Sequence, residues 1–188
     1  MPPKIRITKT DIVRAALDLV RKDGETALNA RSVAMALGCS TQPVFSNFAT
    51  MEQLQEAVRA AAYEHYLQYL QQEVESGAYP QYKAFGMAYI QFAYEEKALF
   101  RLLFMCDRTG KSMTPTADFV RSVELLQSAL GLTKETAERM HLQMWVFVHG
   151  IGTMLATSFA EPEWEKISNM ITDIYQALRE RYIREVEI

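Results

Sequence analysis

The sequence predicts an all-α fold, and three observations predict it. Helix-favouring Ala, Leu, Glu, Gln, Met and Arg recur through the 188 residues, while Gly and Pro number only 8 and 6. Apolar residues return at three- and four-residue spacing in one segment after another. No stretch alternates apolar and polar residues in the way a half-buried strand requires. With 49% hydrophobic and 23% charged residues, the chain can build a core and does not have the composition of a disordered tail.

The elements follow in order. A first helix is expected over residues 10–22, with Ile12, Val13, Ala16, Leu17, Leu19 and Val20 on its apolar side and Asp23-Gly24 ending it. Asn29 is a good N-cap for a second helix whose buried stripe is Val33, Ala34 and Leu37, stopped by Gly38. Ser40 is expected to cap a short third helix reaching Asn47, with Val44 and Phe48 facing inward. Thr50-Met51-Glu52-Gln53 reads as a capping box opening a long helix to Ser76. Gly77 and Pro80 then break the chain. Further helices are expected over residues 81–94 and 97–105. After a polar loop from Asp107 to Met113, Thr114-Pro115 is expected to cap a helix to Leu130. Thr133 caps a long helix to Phe159, and a final helix runs over residues 163–184.

Two short helices joined by a tight turn at Gly38 form a helix-turn-helix. In that motif the second helix enters the major groove and its first residues reach base edges. Here these are Thr41, Gln42 and Pro43, behind Ser40. A Gln side chain can pair bidentately with adenine, while Thr and Pro can pack on a thymine methyl. Charge distribution is compatible with such a role. The net charge is -3, yet residues 1–62 hold eight basic groups against six acidic, and the remainder 12 against 17. Lys4, Arg6 and Lys9 form a basic arm suited to a phosphate backbone.

Residues 15–54 resemble the DNA-binding domain of TetR-type transcriptional repressors. The matching pieces are the Ala-Leu-x-Leu first helix ending at Gly24, then Asn29-x-Arg31-x-Val33-Ala34. They continue with Leu37-Gly38-Cys39-Ser40, Phe45-x-Asn47-Phe48 and Glu52-x-Leu54. The resemblance implies that Asn29 and Arg31 touch phosphate or a base edge, that Thr41, Gln42 and Pro43 read sequence, and that Phe45, Asn47 and Thr50 touch the backbone. Two positions depart from the pattern. Phe45 stands where Tyr is usual and Met51 where Lys is usual, removing a phenolic donor and a cation; both changes weaken affinity and its salt dependence.

The remainder of the chain is expected to hold an effector and to dimerise, with domain limits at 1–52 and 53–188. Trp145-Val-Phe-Val-His149-Gly150 resembles the Trp-x-x-x-His-Gly signature of one C-terminal domain type in this family. The resemblance implies an inducer pocket among the middle helices, which are rich in aromatic and Met residues. The pocket residues expected are Phe85, Tyr89, Phe92, Phe104, Met105, Phe119, Trp145 and His149, around an apolar or aromatic effector. The last two helices carry long apolar stripes. Phe147, Ile151 and Leu155 on one, with Ile167, Ile171, Ile174 and Leu178 on the other, are the expected homodimer interface.

The implied protein is a ligand-responsive repressor released from a palindromic double-stranded DNA operator, with no cofactor or metal. Two other classes stay open. An enzyme is disfavoured by the lack of a Gly-rich phosphate loop or nucleophile elbow, and His141 and His149 are too far apart in sequence for metal ligands on one helix face. A helical interaction module that has lost DNA binding is the other, kept open by Phe45 and Met51. The charged N-terminus lacks a signal core and no apolar run approaches the length of a membrane span, so a cytoplasmic protein is expected.

Overall fold

The computed structural model describes residues 7–107 and 116–186; Lys4, Arg6 and the Thr114-Pro115 cap lie outside them. The described residues form nine α-helices, α1(Lys9–Asp23), α2(Ala30–Ala36), α3(Gln42–Asn47), α4(Met51–Ser76), α5(Gln81–Glu95), α6(Lys97–Phe104), α7(Ala117–Leu130), α8(Lys134–Ala156) and α9(Trp164–Val186), with a single 3₁₀ turn at Glu25–Ala27. The all-α expectation holds, and most helix ends fall within three residues of their expected places.

Contacts divide the chain into two units. The first comprises residues up to His65 together with Glu96–Cys106, and the second Tyr66–Glu95 together with Asp107–Ile188. This contact boundary differs from a cut at residue 52. It falls inside α4, and it assigns α6 to the unit that carries the helix-turn-helix. The cause is specific side-chain chemistry. Arg21 of α1 donates from Nε to Glu96 Oε2 at 3.0 Å and from Nη2 to Glu96 Oε1, while His65 Nε2 lies 3.1 Å from the same Oε1. Arg59 of α4 binds Glu25 and donates to the Leu102 carbonyl at 3.0 Å.

Within the first unit, α1 buries Ile12, Ala16 and Val20, one residue per turn. It opens one residue earlier than expected because Thr8 and Asp11 form a reciprocal capping box. The hydrogen bonds from Thr8 hold the Asp11 carboxyl below its ordinary pKa. Val44 and Phe48 bury α3 against this core, and the Lys9 ammonium lies 4.8 Å from the Phe48 ring centre. Along α4, Leu54, Val58, Ala62, Tyr66 and Leu70 are buried at unbroken four-residue spacing.

In the second unit, α5 packs on α8, and α7 packs beside it on the same helix. Residues 87–90 of α5 are all buried, so this helix is enclosed on most sides. A cluster of Val123, Leu126, Leu132, Ala137, Met140 and Tyr182 fills one end, joined by Phe119, Leu178 and Tyr175. Gly131 takes the left-handed conformation that closes α7, and Thr133 caps α8 through Thr136 N–H at 3.2 Å. The apolar stripe of α8 proves to be inward-facing in part. Leu155, Ile167 and Ile171 are buried within the single chain, and Phe147, Ile151, Ile174 and Leu178 are half-buried. On α8 the large apolar residues left in solvent are Leu142, Val146 and Met154, four-residue steps that also pass through exposed Gly150.

Candidate functional site

Two features carry chemistry, one in each unit. In the first, Gly38 at φ +64° turns the chain between α2 and α3, a conformation that L side chains rarely adopt. Asn29 caps α2 by accepting from Ser32 N–H at 3.0 Å, and its amide donates to the Ala27 carbonyl at 3.2 Å. Its side chain is therefore largely engaged in building the motif. Arg31 is exposed one residue beyond the start of α2. The expected cap of α3 moves by one residue. Thr41, not Ser40, occupies the N-cap position, and its hydroxyl makes no capping bond because the residue is already helical in φ and ψ. Ser40, Thr41 and Gln42 are all exposed, and Pro43 is half-buried in the first turn.

Further along, Phe45 is 52% exposed, an unusual position for a ring with no partner in a core. Asn47 donates to the Pro43 carbonyl at 2.8 Å, so one amide N–H is spent on its own helix. Exposed Thr50 accepts from Gln53 N–H at 3.3 Å, and the Gln53 side chain accepts from Ala49 N–H at 3.0 Å. The capping box is thus present with its return bond shifted one residue upstream. Met51 is half-buried, and Lys4 lies outside the described residues.

The second unit encloses a cavity of about 370 Å³ between α4, α5, α7, α8 and α9. Of the expected pocket residues, Phe85, Tyr89 and Trp145 line it. His149 stands behind the wall, stacked on Trp145 with ring centres 4.8 Å apart and 2.8 Å from the Tyr89 hydroxyl. Phe92 is fully buried with its ring against Tyr66, and Phe119 packs edge-on against His141. Phe104 and Met105 do not contribute to the cavity, since they end α6 in the first unit. Composition singled them out, but the chain topology places them elsewhere.

Several lining residues carry polar chemistry that the sequence reading missed. Asp118 accepts from the Tyr66 hydroxyl at 3.2 Å, and Lys83 donates to Thr172 Oγ1 at 2.8 Å. Tyr82 Oη lies 3.0 Å from His141 Nδ1. Burial pushes the Tyr82 and Tyr89 phenols far above their ordinary range and holds His141 down to about 4. Burial lowers His149 as well. Near neutral pH both phenols keep their protons and share hydrogen bonds with Nδ1 of uncharged imidazoles. Only the four-residue burial pattern of α4 signals Tyr66; Lys83 and Asp118 carry no local signal at all.

Residues 82–167 match the family model described as tetracyclin repressor-like, C-terminal domain. A crystal structure of a point variant of TetR from Acinetobacter baumannii AYE, in complex with minocycline, is similar to 95% of this chain and 97% of that one, with a TM-score of 0.59 and 15% identity. At that identity the likeness concerns the fold. No curated protein matches the chain. Residues 82–167 thus match a tetracyclin repressor-like C-terminal domain, set within a fold that almost the whole chain shares with that TetR structure.

Proposed function

We propose that this protein is a TetR-type regulator, a homodimeric, cytoplasmic repressor that binds a palindromic operator and leaves it when a small molecule fills the cavity of the second unit. The carrying observation is the pairing, in one chain, of an exposed Thr41-Gln42 helix start with an aromatic-walled cavity. Two recognition helices of a dimer meet successive major grooves about 34 Å apart. Arg31 and the Lys4/Arg6 arm supply phosphate contacts, and Gln42 supplies base discrimination.

A route for ligand response runs through α4. Tyr66 lines the cavity, and its sequence neighbour His65 shares the Glu96 carboxylate with Arg21 of α1. A ligand pressing on Tyr66 biases the same rigid helix that carries His65, altering the separation of the two reading heads. Reciprocity then requires operator DNA to weaken ligand binding by the same factor. Among the described residues no helix is long and apolar enough to cross a membrane, which suits a soluble regulator.

Selection of bound duplexes from a random pool at about 0.1 M salt tests the reading. Enrichment of a palindrome by a dimer supports it; retention with no enriched sequence favours an interaction module instead. Gln42→Ala is expected to relax preference at one base position, costing about 1–3 kcal/mol there. Arg31→Ala is expected to weaken all duplexes alike and to reduce the salt slope by about 1. Unchanged base preference in Gln42→Ala would remove Gln42 from the reading residues.

The dimer surface follows from exposure. Leu142 is 53% exposed and Val146 57%, next to exposed Gly150, where an added Cβ would meet nothing within 4 Å. We assign the dimer contact to this face of α8, flanked by Phe147 and Ile151. Leu142→Glu with Val146→Glu is expected to yield folded monomers in sedimentation and to lose operator binding, since neither side chain supports the monomer core. A variant that stays dimeric would place the contact elsewhere.

A further inference from the structure

We infer that the cavity takes an organic carboxylate, an amphipathic acid whose ring-bearing apolar body lies among the aromatic walls while its carboxylate meets the Lys83 ammonium. The inference rests on reading the cavity as the effector site and adds the ligand's head-group chemistry.

Lys83 sits in the first turn of α5, in the cavity wall. Its ammonium donates to Thr172 Oγ1 at 2.8 Å and lies 4.9 Å from the Tyr79 ring centre. Thr172 in turn donates to the Ser168 carbonyl at 3.1 Å, which leaves its oxygen lone pairs to the ammonium. Every one of these partners is neutral, and no carboxylate lies within ion-pair distance of Lys83 among the described residues. A half-buried ammonium held by a hydroxyl and a ring face is positioned but not neutralised, and it keeps donor capacity for an anion.

The one carboxylate among the described lining residues is in a different condition. Asp118 lies in the first turn of α7, where the helix end favours negative charge, and it already accepts from Tyr66. Its charge is therefore compensated by the protein, whereas that of Lys83 is not. This asymmetry selects an anionic ligand over a cationic one. It also selects a monoanion. Lys83 is the only Lys or Arg among the described lining residues, and the Asp118 charge shares the cavity, so a doubly charged phosphate would remain under-neutralised. Most of the remaining wall is apolar or aromatic, with Phe85, Tyr89, Trp145 and Val148 matching a ring system and Ser122, His141 and Gln176 adding neutral polar groups.

Three probes with one apolar body separate the possibilities: biphenylcarboxylate, biphenylmethanol and biphenylmethylamine. Each is titrated calorimetrically into the full-length protein, wild type, Lys83→Met and Lys83→Arg. The acid is expected to bind wild type roughly ten- to a hundredfold more tightly than the alcohol. In Lys83→Met the acid should fall to the level of the alcohol, whose own affinity stays unchanged, and in Lys83→Arg the preference should largely return. Unchanged alcohol binding shows that the Lys83→Met cavity is intact. Equal binding of acid and alcohol to wild type overturns the inference, as does an acid preference that survives Lys83→Met. Tightest binding by the amine overturns it too and moves the head group to Asp118. Binding of none of the three counts against the effector cavity itself and removes this inference with it.

Discussion

Arg21→Met is expected to lower the unfolding free energy by about 2–3 kcal/mol, read from the denaturant midpoint at unchanged slope. Glu96 is 8% exposed and takes both arms of the Arg21 fork. The Arg21 side chain is itself 43% exposed, so it recovers water when freed, and the cost falls below that of a fully buried pair. The carboxylate has no such relief. Without Arg21 it keeps only His65, and its position at the N-cap of α6 brings no side-chain capping bond. Adding Glu96→Gln to Arg21→Met is therefore expected to recover part of the loss, because the amide needs no counter-charge. A single-variant cost below about 0.5 kcal/mol would reduce the fork to an ordinary surface pair.

The second large effect is on pH. His141 is held at about 4 in the folded protein, against 6.5 for an unperturbed ring, chiefly by burial and despite the opposing pull of Asp118. A depressed histidine binds its proton more readily in the unfolded chain. Stability is therefore whole above about pH 6.5 and falls as pH drops toward 4, by up to roughly 3 kcal/mol from this ring. The groups around it explain why. The Tyr82 hydroxyl hydrogen-bonds Nδ1, and the Phe119 ring packs edge-on with its centre 4.9 Å from the imidazole centre, so a charged ring would face an apolar wall. Urea unfolding of wild type and His141→Gln between about pH 7 and pH 4.5 checks this. The variant should lose most of the pH slope and keep only what His149 contributes in the same direction. A slope unchanged by His141→Gln would assign it to other groups.

Local patterns made the helices legible. Spacing and breakers located α1 to α9, because caps such as Asn29 and Thr133 act over three residues and the apolar period records burial directly. The shift from Ser40 to Thr41 at α3 shows the limit, since a cap depends on backbone angles that residue type only biases. The cavity was legible as a composition and not as a geometry. Phe85, Tyr89 and Trp145 line it, but Phe104 and Met105, equally apolar, belong to the other unit. Lys83, Asp118 and His141 escaped because their roles arise from pairings 52 to 89 residues apart and from a wall that five helices build together. On α8 the sequence shows a helix apolar on most of its circumference, Leu142 and Val146 included, but not which face its own chain covers, so exposed Leu142 and Val146 could not be told from buried Leu155.

The discontinuity of the first unit has a consequence for how such proteins diversify. The chain leaves that unit after His65 and returns to it from Glu96 to Cys106, supplying the partner of Arg21 and the carbonyl that receives Arg59. A recombination event with one crossover would separate α6 from the rest of its unit, removing the Glu96 carboxylate that binds Arg21 and the Leu102 carbonyl that receives Arg59. Exchange of the second unit alone needs a second crossover near residue 106, with residues 66–95 travelling as an insert. Engineered chimeras of this chain should therefore be cut at two junctions.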